Sequence, residues 1–586
     1  MKKRSEIEDK YKWDLSCYVK DEEQLKENLK YLKENIERFK AFYGKFNDKA
    51  ELKKYLDLSE EFDKVLDVTS AYLYHSLDTD TSNTKFLDYI QEISYISKDL
   101  GEATAYVYPQ LQELSDEYLQ ELINDANFKD YDLIFKDILR DKPHKISEYD
   151  SKFLSKMSLF LNKYSDVFDT LTTGEIQFKD AVGADGKTYE VSEADYNKLL
   201  NNKDRKVRET GFKSLMQGYG DKIRTLALIY TTDIQGDIFH TRLANFNSVR
   251  QSAMFNEEVD EKVYDTLIKN ITSRVNYLHK IVDLKSKYFN LPDIAYYDMM
   301  QTFGGDKKYS IQDAVDLVKR CTACLGEEYA KILCEKFEQK VIDYLPNENK
   351  ETGAYSSGVY GCPSVVLMNF TDNYNSVSTL AHEIGHAIHT EFSNRNQPIT
   401  KANYAIFVAE VASTVNEVLL NLYVGKNGDK TEKTALDLEL LDSVRTTIFR
   451  QTMFSQFEDY AHTQLENSKV VNYNDFCNKY YELNKFYYGD KINLPEELKF
   501  EWSRIPHFYR PFYVYKYATG LISALCIVQN ILTDKEYYKK YINFLKSGCT
   551  KNPVELLQDI DVDLTTDTPY IKAFEFIDRI IKELDK

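Results

Sequence analysis

The chain has 586 residues, a formal net charge of −19, 43% hydrophobic residues and 29% charged residues. Such a length exceeds what one compact core organises. The acidic balance argues against nucleic acid as a partner, because that affinity depends on Lys and Arg neutralising phosphates. The opening residues, MKKRSEIEDKYKWDLS, are followed by no apolar stretch. No segment is expected to approach the roughly 20 apolar residues of a membrane span. The eight cysteines have no regular spacing and read as reduced thiols. A soluble cytoplasmic protein without a membrane partner is expected.

Only 11 prolines interrupt the chain, and long stretches carry apolar residues at i, i+3, i+4 and i+7. A mainly α protein is therefore expected, with residues 22–105 forming successive helices. Residues 171–196 break the pattern: Gly-Ala-Asp-Gly between short alternating runs predicts a hairpin or an irregular arm. Cys321 and Cys324 form a C-x-x-C pair inside a helical pattern, with no second pair nearby to complete a metal site, and are expected to pack. Residues 353–376 break the pattern again. There Val365, Val366, Leu367 and Met368 predict a short strand, and so a small sheet just before the next helix.

That helix carries LAHEIGHAIHT at 380–390. His382-Glu383-Ile384-Gly385-His386 is an H-E-x-x-H motif. Residues four apart on a helix lie one turn along the axis and only ~40° around it. Both imidazoles can then reach one metal ion, with Glu383 beside them to take a proton from a water. Val377, Leu380, Ala381, Ile384, Ala387 and Ile388 supply an apolar side, and Asn and Ser residues upstream can cap the helix. Gly385 is a poor helix former, and its place suggests close packing against another element.

A catalytic zinc ion takes three protein ligands and keeps one position open. Residues 404–424, YAIFVAEVASTVNEVLLNLYV, predict a second, strongly apolar helix. Glu410 sits in it beside Phe407, Val408, Val411 and Ala412, where a carboxylate is costly unless a cation or donor satisfies it. Glu410 is therefore expected to be the third ligand. Glu417, seven residues on, is either the partner of a ligand histidine or part of an ordinary structural pair. His389 is expected to pack.

Several segments together resemble the oligoendopeptidase F branch of the thimet-type zinc oligopeptidases. They are GAYSSG at 353–358, NFTDNYNSVSTLAHEIGHAIH at 369–389, FVAEVASTVNE at 407–417, RIPHFYRPFYVYKYATG at 504–520 and RLANFNSVRQSAMFNEEVDEKVYDTLI at 242–268. The resemblance implies a mainly α, two-lobed helical shell around a deep substrate channel, with a small β-sheet next to the zinc-binding helices. It divides the chain into an N-terminal helical region (1–110), an oligoendopeptidase F-type N-terminal subdomain with the hairpin (111–200) and a zinc-dependent catalytic domain (201–586). It implies one zinc ion on His382, His386 and Glu410, with Glu383 as catalytic base. His507 and Tyr509 match family residues that help hold the substrate and the oxyanion, while the roles of Tyr513, Tyr515 and Tyr517 stay open. The expected activity is hydrolysis of internal bonds in short, unstructured peptides. Two other readings remain. One is a dipeptidyl or end-clipping metallocarboxypeptidase, with Arg504 or Arg510 holding the terminal carboxylate. The other is an inactive peptide-binding protein.

Overall fold

The computed structural model describes residues 2–147, 150–151, 153–154, 156, 164–303 and 307–585. The chain is mainly α, and its elements separate into two compact units that interleave along the sequence. The first unit comprises residues 1–143, 306–424 and 530–560; the second comprises residues 144–305, 425–529 and 561–586.

The first unit begins with the expected helices: α1 (Glu22–Phe39), α2 (Lys49–Asp78) and α3 (Thr84–Thr104). Asp21, Asp48 and Asn83 cap them by accepting hydrogen bonds from first-turn amides. Leu25, Leu29, Leu32, Ile36 and Phe39 recur at helical spacing along α1. They are buried together with Leu52, Phe62 and Leu73 of α2 and with Ile93 and Ile96 of α3. The second unit contains the expected hairpin, β1 (Ala181–Val182) and β2 (Thr188–Tyr189), paired antiparallel with Ala181 opposite Tyr189. Gly186 turns the chain at φ +82°, a conformation open to glycine at no steric cost. The same unit contains α4 (Ile223–Leu243).

In the first unit, α5 (Glu327–Glu338) precedes a small sheet of β3 (Ile342–Asp343), β4 (Tyr355–Ser357) and β5 (Val365–Leu367). β5 is central, parallel to β3 and antiparallel to β4, so β4 lies at an edge. Val365, Val366 and Leu367 are wholly buried, as a run of consecutive apolar residues in a central strand requires. The sheet leads into α6 (Tyr374–Asn396) and α7 (Ile406–Asn427). α7 is long and apolar enough to cross a membrane, contrary to the expectation that no segment comes close, although most of its apolar window is buried within the protein. Beyond it lie α8 (Arg450–Glu466), in the second unit, and α9 (Tyr515–Thr533).

Cys321 is buried, and its thiol donates to the Val318 carbonyl at 3.3 Å. All eight cysteines are free thiols.

Candidate active site

α6 begins where Asn373 accepts a hydrogen bond from the Ser376 amide at 2.9 Å. Its apolar side (Val377, Leu380, Ala381, Ile384, Ala387 and Ile388) is completely buried, which fixes the rotation of the helix about its axis. A Cβ on Gly385 would lie 2.7 Å from Ser413 Cα and 3.0 Å from the Ala412 carbonyl oxygen. The glycine thus lets the α7 backbone approach α6 directly. Asn416 pins the same crossing: its amide donates to the Ala381 carbonyl at 3.0 Å and its oxygen accepts from Tyr329 at 2.9 Å.

This crossing brings His382, His386 and Glu410 together, with one donor atom of each within 4.8 Å of the others. The two Nε2 atoms are 3.2 Å apart. Glu410 Oε2 lies 3.6 Å from His382 Nε2 and 3.7 Å from His386 Nε2. With metal–ligand bonds of ~2.1 Å, the edge of a tetrahedron is about 3.4 Å, so the three atoms fit three corners around one small cation. The Glu417 carboxylate is hydrogen-bonded to His382 Nδ1. In the neutral imidazole that bond favours the proton on Nδ1 and turns Nε2 toward the cluster. Glu417 is therefore a direct partner of His382.

Burial lowers the pKa of His382, but the Glu417 hydrogen bond and the charges of Glu417, Glu383 and Glu410 outweigh it and raise the value to about 9. Burial, together with His382, holds His386 near 3. The cluster as a whole draws positive charge. Glu383 is buried, and its carboxyl is pushed up to about 7, first by burial and then by Glu410 and Glu417, against the pull of His382 and of the Ser356 amide. Glu410 departs from its sequence reading. Its side chain is 45% exposed, so it occupies the open side of α7 rather than an apolar interior. His389 packs as expected, stacked on Tyr404 with ring centroids 3.7 Å apart.

His507 and Tyr509 belong to the second unit, on a short 3₁₀ turn, Pro506–Tyr509. The structure separates their side chains. His507 Nε2 lies 3.4 Å from the Tyr517 hydroxyl, and its ring stacks 6.2 Å from that of Tyr513. The Tyr509 ring instead sits 4.6 Å from Phe168 and 5.9 Å from Tyr230. The resemblance paired His507 with Tyr509 and left Tyr513, Tyr515 and Tyr517 open; the structure places Tyr513 and Tyr517 in the histidine's surroundings. Arg504 is committed elsewhere: its guanidinium grips the Glu193 carboxylate through two hydrogen bonds. That geometry leaves it poorly placed to hold a peptide terminus.

Comparison with known proteins points the same way. The sequence model of peptidase family M3 matches residues 198–576. The chain belongs to that family. A second family model, described as Oligopeptidase F, matches residues 110–178. Oligopeptidase PepF of Bacillus subtilis is 32% identical over 589 residues, covering 100% of this chain and 88% of the relative. An oligoendopeptidase F homolog of Lactococcus lactis is 30% identical, covering 100% and 98%. A crystallised Chlamydophila abortus chain assigned as a peptidase superposes with a TM-score of 0.94 at 31% identity, covering 100% and 99%. Oligoendopeptidase-F from Enterococcus faecium superposes with a TM-score of 0.73 at 26% identity, covering 96% and 98%. The protein is a metalloendopeptidase of family M3. Membership implies a divalent metal, and His382, His386 and Glu410 are the donors suited to hold it.

Proposed function

We propose that this metalloendopeptidase hydrolyses internal bonds of short, unstructured oligopeptides, with one zinc ion on His382, His386 and Glu410 and with Glu383 as general base. The convergence of three lone-pair donors at tetrahedral spacing beside a buried carboxylate carries the reading. Two nitrogens and one carboxylate oxygen are a donor set suited to zinc. When bound, the ion supplies Lewis-acid polarisation of the scissile carbonyl and a more acidic water. Glu383 takes the proton of the attacking water and delivers it to the leaving amine. By the family resemblance, His507 and Tyr509 would be the hydrogen-bond donors to the substrate and the developing oxyanion. The edge strand β4 pairs with the extended substrate backbone, which would give loose sequence preference, since peptide groups are common to all substrates. Within this proposal the region boundaries stand near 110 and 200. The setting is cytoplasmic, which suits eight free thiols.

The test is digestion of a length series of unstructured peptides sharing one cleavable core, each with free and with blocked termini. Zinc-loaded enzyme should cut blocked and free peptides alike, cut long unfolded chains poorly, and stop when a chelator is added. A requirement for a free carboxyl terminus would establish the end-clipping alternative. Equal rates for the core peptide and for a long unfolded protein carrying it would remove the substrate-length limit. No cleavage by fully zinc-loaded protein would favour the peptide-binding alternative.

A further inference from the structure

The end of α2 is joined to the segment that carries β4. The Glu351 amide donates to the Asp78 carbonyl at 2.8 Å, the Thr81 amide to the Asn349 carbonyl at 2.8 Å, and the Asn347 side chain to the Thr79 carbonyl at 3.0 Å. Side chains extend this join into β4 itself. The Tyr355 hydroxyl, from the first residue of β4, donates to the Asp78 carboxylate. It also lies 3.1 Å from Nδ1 of His75, one turn earlier on α2. His75 is buried between Trp13 and Tyr18, with ring centroids 5.6 Å and 6.0 Å away. The Trp13 ring also faces Tyr355 at 6.5 Å. Burial holds the His75 imidazole low, near pKa 4, so at neutral pH it is an uncharged partner for the hydroxyl. Tyr355 is therefore gripped from two sides by a helix more than 270 residues upstream in sequence.

The next residue of β4 is Ser356, whose backbone amide hydrogen-bonds to Glu383. Along its paired edge β4 is held by β5, through the pairs Tyr355–Leu367, Ser356–Val366 and Ser357–Val365. An edge strand of only three residues has few ladder bonds to fix its tilt. The Tyr355 hydroxyl supplies a further anchor, at the end of β4 next to Ser356.

We infer that Asp78 and His75 are positioning residues of the peptidase site. Through the Tyr355 hydroxyl they hold β4 in the alignment that receives the substrate backbone. The inference rests on the proposed pairing of substrate with β4. Backbone pairing acts on bound substrate and transition state alike, so loosening β4 weakens binding before it slows chemistry. A loss of folded or metal-loaded enzyme lowers the apparent kcat and leaves KM unchanged, which separates the two.

The experiment compares zinc-loaded full-length wild type with Tyr355→Phe, Asp78→Ala, Asp78→Asn and the Tyr355→Phe/Asp78→Ala double variant. A peptide long enough to lie across β4 is the substrate, and metal content and thermal melting are measured in parallel. Tyr355→Phe and Asp78→Ala should each raise KM about 10-fold, the weight of one hydrogen bond to a charged acceptor, with kcat held within about 3-fold. Asp78→Asn keeps an acceptor oxygen and should recover most of the loss. The double variant should be no worse than either single variant, because both remove the same contact. An unchanged KM in Tyr355→Phe, additive losses in the double variant, or a fall carried by kcat together with metal content would overturn the inference. If Glu383→Gln is inactive while Tyr355→Phe keeps the wild-type KM, the inference fails alone. If Glu383→Gln stays active, the reading of the site fails first.

Discussion

At the scale of single residues, the proposed site divides the labour between a proton carrier, three metal donors and the groups that would orient them. Glu383→Gln keeps the shape of the side chain and the metal donors but removes the base. Zinc content should stay at one per chain while kcat falls by ~10²–10⁴-fold; appreciable residual turnover would move the base to another residue. Glu410→Ala removes one of three donors, whereas Glu417→Ala removes the carboxylate that orients His382. Loss of such an orienting partner costs about 10- to 100-fold in affinity, and loss of the donor should cost more. Zinc retained after dialysis should therefore follow wild type, then Glu417→Ala, then Glu410→Ala. The reverse order of the two variants would make Glu417 the ligand.

At the scale of elements, the site is a product of how closely α6 and α7 cross. A methyl group at position 385 would meet the backbone of Ser413 and Ala412, which cannot rotate away. Alanine favours a helix over glycine by about 1 kcal/mol, but overpacking of this kind costs about 1–3 kcal/mol. Separating the helices would also pull Glu410 away from the two imidazoles. Gly385→Ala should lower both the melting temperature and the zinc affinity, read by calorimetry and metal titration. A variant that melts at or above the wild-type temperature and binds zinc normally would show that the crossing tolerates the extra carbon.

At the scale of the whole molecule, stability depends on pH through carboxyls far from the metal cluster in sequence. Glu458 of α8 is completely buried. Its carboxyl is pushed up to about 8, mainly by burial, with His462 and the Phe512 amide opposing and Asp237 and Asp459 adding to the rise. The folded chain therefore holds this proton at a pH where the unfolded chain has released it. The corresponding stability is fully present below about 4.5 and is lost as pH rises through about 8. Glu458→Gln imitates the protonated form. The melting temperature of the variant relative to wild type should rise between pH 5 and 8 and level off above that, and a difference that is flat between pH 5 and 8 would refute the assignment.

The sequence by itself determined which side chains share a helix face. The H-E-x-x-H spacing follows from helix geometry, so the approach of His382 and His386 was legible without any fold. The same is true of the apolar side of α6, the glycine that admits α7 and the strand at Val365. Glu410 does join the two histidines, but it was picked out as a carboxylate too costly to bury, whereas its side chain lies on the open side of α7. Only tertiary structure decided the rest. Glu417 could be separated from a structural pair only by the contact with His382. β3 joins β5 across more than 20 residues, and a two-residue strand carries no periodicity to read. Tyr355 meets Asp78 across more than 270 residues. Periodicity reports how each element faces a core, but it carries no information about which distant element completes a contact, because that choice is made by the packing of the whole chain.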